Sequence, residues 1–360
     1  MTELIAKVRT LTGLVLLACA DAAQAQAPAA EAHRAELATI TNLAGRGDLA
    51  LRERFFGEYG AAQARREVIG RWLPVLGADG LLDALEARNS FCHTEGHDLG
   101  AEILLRVKDL GVALAACGQR CTTGCTHGVL KQAFLGGVGS PFKHATLADV
   151  RPRIREICAG GPAGDVEPGN CAHGVGHALL VLGGGDLGVA LGHCGAFTPR
   201  ALAYYCASGV FMEYVTGGES RPAGSSIHHP CEAHTEYPPA CYKYAAWRIL
   251  QARGTLDAAA AECLTLAPHL RRGCSYGLGS TQMKELDQAP ERLGHVCGFG
   301  DADDRVMCVN GAVEILAAYR PFAAATACRA LSGELAEACR VAVREGRYGL
   351  GKPFRLYFRE

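Results

Sequence analysis

Aromatic residues are scarce in this 360-residue chain, at 7%, with two tryptophans. A thick β core would need more of them, so the Ala- and Gly-rich composition favours closely packed helices. The chain also lacks excess charge of either sign. A formal net charge of −1 leaves no global field to draw it to nucleic acid or to an anionic membrane. Beyond the N-terminus no long uninterrupted apolar run occurs, so no transmembrane helix is expected there. A Gly-rich phosphate loop, a Gly-x-Ser-x-Gly elbow and a basic stripe with interleaved aromatics are missing. Gly183-Gly184-Gly185 reads as a turn between helices. No Cys-x2-Cys-His occurs, so covalent c-type haem is not indicated.

The first residues do carry a signal. Lys7 and Arg9 precede an apolar stretch from Leu11 to Ala20, and Ala23-Gln24-Ala25 supplies the small-x-small pattern of a cleavage site. Residues 1–25 are therefore expected to be a signal peptide, with export to the periplasm or beyond the cell. A competing reading takes Leu16-Leu17-Ala18-Cys19 as a lipobox, with Cys19 as a lipid anchor; Leu17 suits that pattern poorly.

Cysteine is the residue in excess. Of 17, Cys19 leaves with the signal, and the remaining 16 form an even set, the mark of a disulfide framework in an exported chain. Cys92, Cys125, Cys171, Cys206, Cys241, Cys274, Cys308 and Cys339 recur with a period near 34. One longer step, from Cys125 to Cys171, contains the Gly/Pro-rich stretches 136–142 and 160–169. Five of the eight register cysteines carry Gly three residues on: Gly128, Gly174, Gly209, Gly277 and Gly311. A second cysteine precedes each later register cysteine at short range. The pairs are Cys158 with Cys171, Cys194 with Cys206, Cys231 with Cys241, Cys263 with Cys274, Cys297 with Cys308 and Cys328 with Cys339. Each unit then reads as helix A, turn, helix B, with a disulfide from the end of helix B to the next helix A. The recurring Gly would let neighbouring helices approach beside the staple. The first unit is irregular. One of Cys117 and Cys121 should pair with Cys125, leaving the other for Cys92. The arrangement carried forward is Cys117 with Cys125 and Cys92 with Cys121, although spacing alone does not fix connectivity.

The expected fold is thus all-α: an α-solenoid of helical hairpins, about eight repeats of ~34 residues, stapled between repeats. Residues 91–347 form the repeat domain, 26–90 a helical N-terminal cap and 348–360 a C-terminal tail. The period and the Cys…Cys-x2-Gly register resemble the Sel1-like and tetratricopeptide-like hairpin arrays, in particular the disulfide-stapled Sel1-type proteins. The usual Leu-Gly-x3-Tyr signature is absent. The resemblance implies a concave face that binds a peptide or protein partner, and Lys243, Trp247, Tyr276 and Glu314 are the residues expected to serve it.

Histidine points to chemistry. Positions two and six after a register cysteine share one helix face. There the sequence places His127 and Lys131, then His173 and His177; His93 and His97 follow the first register cysteine with the same i,i+4 spacing. Later repeats carry no histidine at these positions. Two His-x3-His pairs on neighbouring helices are good ligand geometry for zinc, copper, nickel or iron. His93, His97, His127, His173 and His177 are the candidate ligands, with Glu95, Lys131, Glu213 and Tyr214 as further members. The structural alternative is that each histidine merely packs or bonds backbone. The protease motif His-Glu-x2-His is absent, since Glu95 stands two residues from each histidine. Cys117-x3-Cys121 would suit Cu(I), but disulfides are the expected state in an oxidising compartment. His228, His229 and His234, around Cys231, read as an exposed insertion or as a second metal site. Two functions follow: a transition-metal protein, extending to a metal-dependent enzyme, or a non-catalytic peptide-binding scaffold.

Overall fold

The computed structural model describes residues 45, 47–89, 92–136, 146–147, 158, 166–216, 222 and 224–359. The signal peptide and Cys19 lie outside them. Every regular element among the described residues is helical.

Helices α1 (Leu49–Ala61) and α2 (Arg65–Arg88) precede the cysteine-rich region. Gly77, at φ 71°, breaks α2 internally. The apolar side of this pair is buried: Phe55, Ile69, Leu73 and Leu76 are fully enclosed, and α2 packs on α3. The next eight long helices each begin at or contain a register cysteine. They are α3 (His93–Val107), α5 (Gly124–Leu135), α6 (Pro168–Leu182) and α8 (Arg200–Thr216). They continue with α9 (Pro238–Arg253), α11 (Pro268–Thr281), α14 (Ala302–Tyr319) and α16 (Gly333–Glu345). Each packs on the next of this set, from α3 against α5 through to α14 against α16.

Shorter helices fill the intervals: α4 (Leu110–Cys117), α7 (Leu187–Cys194), α10 (Leu256–Leu264), α12 (Met283–Gln288), α13 (Leu293–Val296) and α15 (Pro321–Arg329). Asp109, Asp186 and Thr255 start α4, α7 and α10 identically, each side chain accepting from the backbone N–H three residues on. Such a cap contributes about 1 kcal/mol. Residues 224–234 take irregular turns where the neighbouring units have a short helix.

Eight disulfides staple the chain. Two lie in the irregular first unit, Cys92–Cys121 and Cys117–Cys125. The other six are Cys158–Cys171, Cys194–Cys206, Cys231–Cys241, Cys263–Cys274, Cys297–Cys308 and Cys328–Cys339. These six join the partners expected from the spacing; the two in the first unit, whose connectivity the spacing left open, join as Cys92 with Cys121 and Cys117 with Cys125. Cys171, Cys206, Cys241, Cys274, Cys308 and Cys339 each sit within a long helix. Cys194, Cys263 and Cys328 lie at or near the ends of the short helices before them, and Cys297 directly follows α13. Cys231 differs, since it lies in the irregular turns that replace a short helix. Seven of the disulfides span 8 to 13 residues, each worth about 3 kcal/mol by restricting the unfolded chain. Such a set fits an oxidising compartment. No helix among the described residues is long and apolar enough to cross a membrane.

Glycine sets how closely the long helices approach. A methyl group on Gly128 would sit 2.0 Å from the carbonyl oxygen of His97, and one on Gly209 would sit 1.9 Å from that of His173. No side chain fits at that separation, so backbone meets backbone where the histidine helices touch.

The segment after α16 is not a detached tail. Gly346, at φ 60°, turns the chain out of α16. Arg347 then donates Nη1–H to the Thr122 carbonyl at 3.0 Å, which joins the last unit to the first. Tyr205 donates its hydroxyl to Gly349 O at 2.5 Å, and the ring of Tyr357 packs on Tyr204 and Tyr276 at 5.0 and 5.7 Å. The C-terminal segment thereby covers part of the face carrying positions two and six, at His127, Tyr276 and Glu314, while Trp247 stays exposed.

Candidate metal centre

Three helices bring the histidines together. His93 and His97 lie one turn apart on α3, His127 on α5, and His173 and His177 one turn apart on α6. His93, His97, His127 and His177 each present a ring nitrogen, and these four atoms lie within 4.8 Å of one another. A tetrahedral ion with bonds of about 2.0–2.1 Å would space its donors roughly 3.4 Å apart, well inside that limit. His173 joins through His177, Nε2 to Nε2 at 3.2 Å, while its Nδ1 is buried without a partner.

The outward nitrogens decide where the protons sit. His93 Nδ1 lies 2.7 Å from Thr122 Oγ1, whose own hydrogen goes to the Cys121 carbonyl, and 3.0 Å from the Thr122 carbonyl oxygen, so Nδ1 is the N–H donor and Nε2 the lone pair. His127 Nε2 lies 2.6 Å from Asn170 Oδ1, which leaves its Nδ1 as the lone pair. His177 Nδ1 donates to Glu213 Oε2 at 2.9 Å, leaving Nε2 as the lone pair. Three lone pairs therefore point inward, each fixed by an oxygen behind the ring, the usual second layer around a metal-binding histidine. His127 Nδ1 faces His93 Nε2 at 3.4 Å, lone pair against lone pair. His97, the more exposed member, brings Nε2 to 3.0 Å from His93 Nε2.

Burial holds these rings neutral. Desolvation, then the neighbouring histidines, pushes His93 and His127 well below the ordinary value of 6.5; His97 and His173 shift likewise. His177 is lowered by burial against the opposing pull of Glu213. Burial works against ionisation of Glu213, yet the His177 hydrogen bond and the Lys131 charge override it and hold the carboxyl at about 2. Neutral imidazole is the form that binds a metal.

The backbone that orients His93 is strained. Cys121, Thr122 and Thr123 all take positive φ, at 47°, 58° and 64°. Non-glycine residues there cost about 1–3 kcal/mol each, and such strain gathers at functional sites. Disulfides at Cys92–Cys121 and Cys117–Cys125 flank the turn, and Glu86 accepts the Cys121 N–H at 2.7 Å. The irregular Cys-Gly-Gln-Arg-Cys-Thr-Thr-Gly-Cys run is thus the turn that aims the Thr122 carbonyl. Cys92 and Cys121 lie near Glu86 as well, but their sulfurs are bonded to each other, as are those of Cys117 and Cys125.

Of the further candidates, Lys131 pairs with Glu213 at 2.5 Å, and both border the cluster. Glu95 lies on the Tyr59 side of α3, and Tyr214 bonds His229 at 3.2 Å; neither is among the converging group. The three histidines near Cys231 do not converge. His228 is buried rather than exposed, between Glu262 and Tyr242. Three of the four residues expected to serve a peptide partner are engaged within the protein. Tyr276 and Glu314 are buried, and Lys243 contacts both, while Trp247 points to solvent at 53% exposure.

Several participants escaped sequence reasoning. Asn170, Thr122, Arg347 and Tyr348 have no pattern of their own; Tyr348 reaches His127 Nε2 at 3.4 Å across 221 residues. The irregular cysteine spacing was the one available signal for Thr122. No family model, curated protein or solved structure matches the chain.

Proposed function

We propose that this is an exported protein that holds one transition-metal ion in an all-imidazole centre. His93, His97, His127 and His177 are the ligands. His173 is in reserve behind His177, and Glu213, Asn170 and the Thr122 carbonyl set the tautomers. The observation that carries the reading is the pair of lone pairs on His93 and His127, 3.4 Å apart and both fixed by oxygens behind their rings. Without a cation between them that arrangement is repulsive; with one it is a pair of ligands. Zinc, copper and iron all accept such a donor set. A metal-dependent reaction is the natural extension, with the partly exposed His97 on the approachable side.

The scaffold supporting the centre is taken to be a solenoid of about eight hairpins, akin in architecture to the Sel1-type arrays. Export rests on the sixteen paired cysteines and on the signal-like first 25 residues. Cleavage after Ala25 predicts a mature chain beginning at Gln26, which intact-mass measurement of exported protein checks.

Elemental analysis of oxidised, dialysed protein tests the centre. About one ion per chain is expected, falling to near none in His93→Ala/His97→Ala. Trace metal in the wild type, or full retention in the variant, would sink the proposal.

A further inference from the structure

A cavity of about 230 Å3 lies beside the histidines, lined by Thr123, Asn170, Tyr319, Arg347 and Tyr348 among others. Three of these residues touch one atom of the cluster. Asn170 Oδ1, Thr123 Oγ1 and the Tyr348 hydroxyl lie 2.6, 3.3 and 3.4 Å from His127 Nε2. One layer of side chains therefore separates the cavity from the ring.

Arg347 is the cation in its wall, and it is unusual in its partners. Its Nη1 donates to the Thr122 carbonyl, and the hydroxyls of Tyr244 and Tyr319 bond the guanidinium. The ring of Tyr348 lies 5.1 Å beneath it. All of these partners are neutral. Its Nε is buried with no partner, and among the described residues no carboxylate forms an ion pair with it. A guanidinium enclosed without a counter-charge is costly, and its planar fork matches a carboxylate. The two acids in the cavity wall do not supply that charge. Glu345 accepts from the Gly351 N–H at 2.7 Å and pairs with Arg344, while burial pushes the carboxyl of Glu167 toward its neutral form.

We propose that this cavity binds a small organic monocarboxylate, whose carboxylate group pairs with Arg347 one side-chain layer from His127. The volume is below the usual 300–1,000 Å3 of drug-sized sites, so a ligand of a few carbon atoms fits. Two acids in the wall and a single cation disfavour a phosphate dianion. The site itself does not require the metal. Its coupling to the centre does rest on that reading: neutralising Arg347 removes a positive charge near the ligands, so carboxylate and metal should each tighten the other equally.

Calorimetric titration of the metal-free, oxidised full chain with propionate, lactate and inorganic phosphate is the test. One propionate or lactate per chain is expected, with phosphate weaker. Arg347→Gln should weaken binding about tenfold or more, the scale of one charge-assisted hydrogen bond. Arg340→Gln, on the exposed face of α16, should change nothing. Should Arg347→Gln fail to fold, Tyr319→Phe removes a cavity hydroxyl that bonds Arg347 and should weaken binding several-fold. Absence of saturable binding in the wild type, equal binding in Arg347→Gln, or tighter phosphate than carboxylate overturns the proposal. A zinc competition run with and without lactate then reads the coupling. A chain that binds lactate but no zinc would end the metal reading and leave the carboxylate site standing.

Discussion

Two polar clusters occupy equivalent positions on this scaffold and are built on opposite electrical principles. In the N-terminal half, His127, His173 and His177 stand two or six residues after a register cysteine. In the C-terminal half the same positions hold Lys243, Tyr276, Asn310 and Glu314. Glu314 is fully buried, and its carboxylate is shared between Lys243 at 3.3 Å and Lys352 from the C-terminal segment. That cluster supplies its own counter-charges. The histidine cluster consists of neutral rings that contact one another, with His97 Nε2 3.0 Å from His93 Nε2 and His173 Nε2 3.2 Å from His177 Nε2. Register positions therefore yield a self-paired ion network in one half and, together with His93 and His97 one residue out of register, an open ligand set in the other. The irregular first unit, with its strained turn at residues 121–123, adds to the difference in side-chain chemistry.

The largest effect should come from breaking the self-paired half. Glu314→Ala removes the carboxylate that the buried Lys243 and Lys352 share and should cost about 3–5 kcal/mol in urea unfolding. Metal content of the folded fraction should stay near wild type. If instead Glu314→Ala strips the metal, the two clusters are one unit and the comparison fails.

Acid should separate the halves in another way. The buried histidines are neutral in the folded chain and free to protonate once unfolded, so the unfolded state binds more protons below 6.5. Stability of the metal-free protein should then fall as pH drops below that value, by at most about 1.4 kcal/mol per pH unit per histidine. In the other half, burial lowers Lys243 to about 7 despite Glu314. Its unfolded form binds the extra proton between about 7 and 10.5, so stability from this group rises with pH across that window. Lys243→Met should flatten the alkaline slope and leave the acid limb unchanged; denaturation curves at several pH values measure both.

Smaller effects sharpen the histidine side. Gly128→Ala places a methyl group against the His97 carbonyl and should separate α3 from α5, costing about 1–3 kcal/mol along with metal affinity. Asn170→Ala removes the oxygen behind His127 and should weaken metal binding about 10–100-fold with little change in stability. Tyr214→Phe, away from the cluster, should leave metal content unchanged. A large loss there would mean that the centre extends toward His229.

Much of this molecule is legible from spacing because its repeat is local. Cys263 and Cys274, or Cys297 and Cys308, stand 11 residues apart and can meet across one turn wherever the rest of the chain goes. The i,i+4 histidine pairs likewise follow from helix geometry within α3 and α6. The caps at Asp109 and Asp186 and the turn at Gly184-Gly185 are equally local.

What spacing could not supply is the return of the C-terminus. Residues 348–357 carry no cysteine and no register position, so they read as a tail, with Arg347 as the last residue of the repeat domain. In the folded chain they bring Arg347 to Thr122, Tyr348 to His127 and Lys352 to Glu314, and so cover part of the face that looked open to a partner. The sequence by itself determined the helices, six of the eight staples and which helices carry imidazole, because those depend on neighbours within about one repeat. Only the tertiary structure decided which nitrogens turn inward and which charges stay uncompensated. Those depend on side chains up to 225 residues apart meeting in one dry interior, where a single oxygen fixes a tautomer and a missing carboxylate leaves an arginine unpaired.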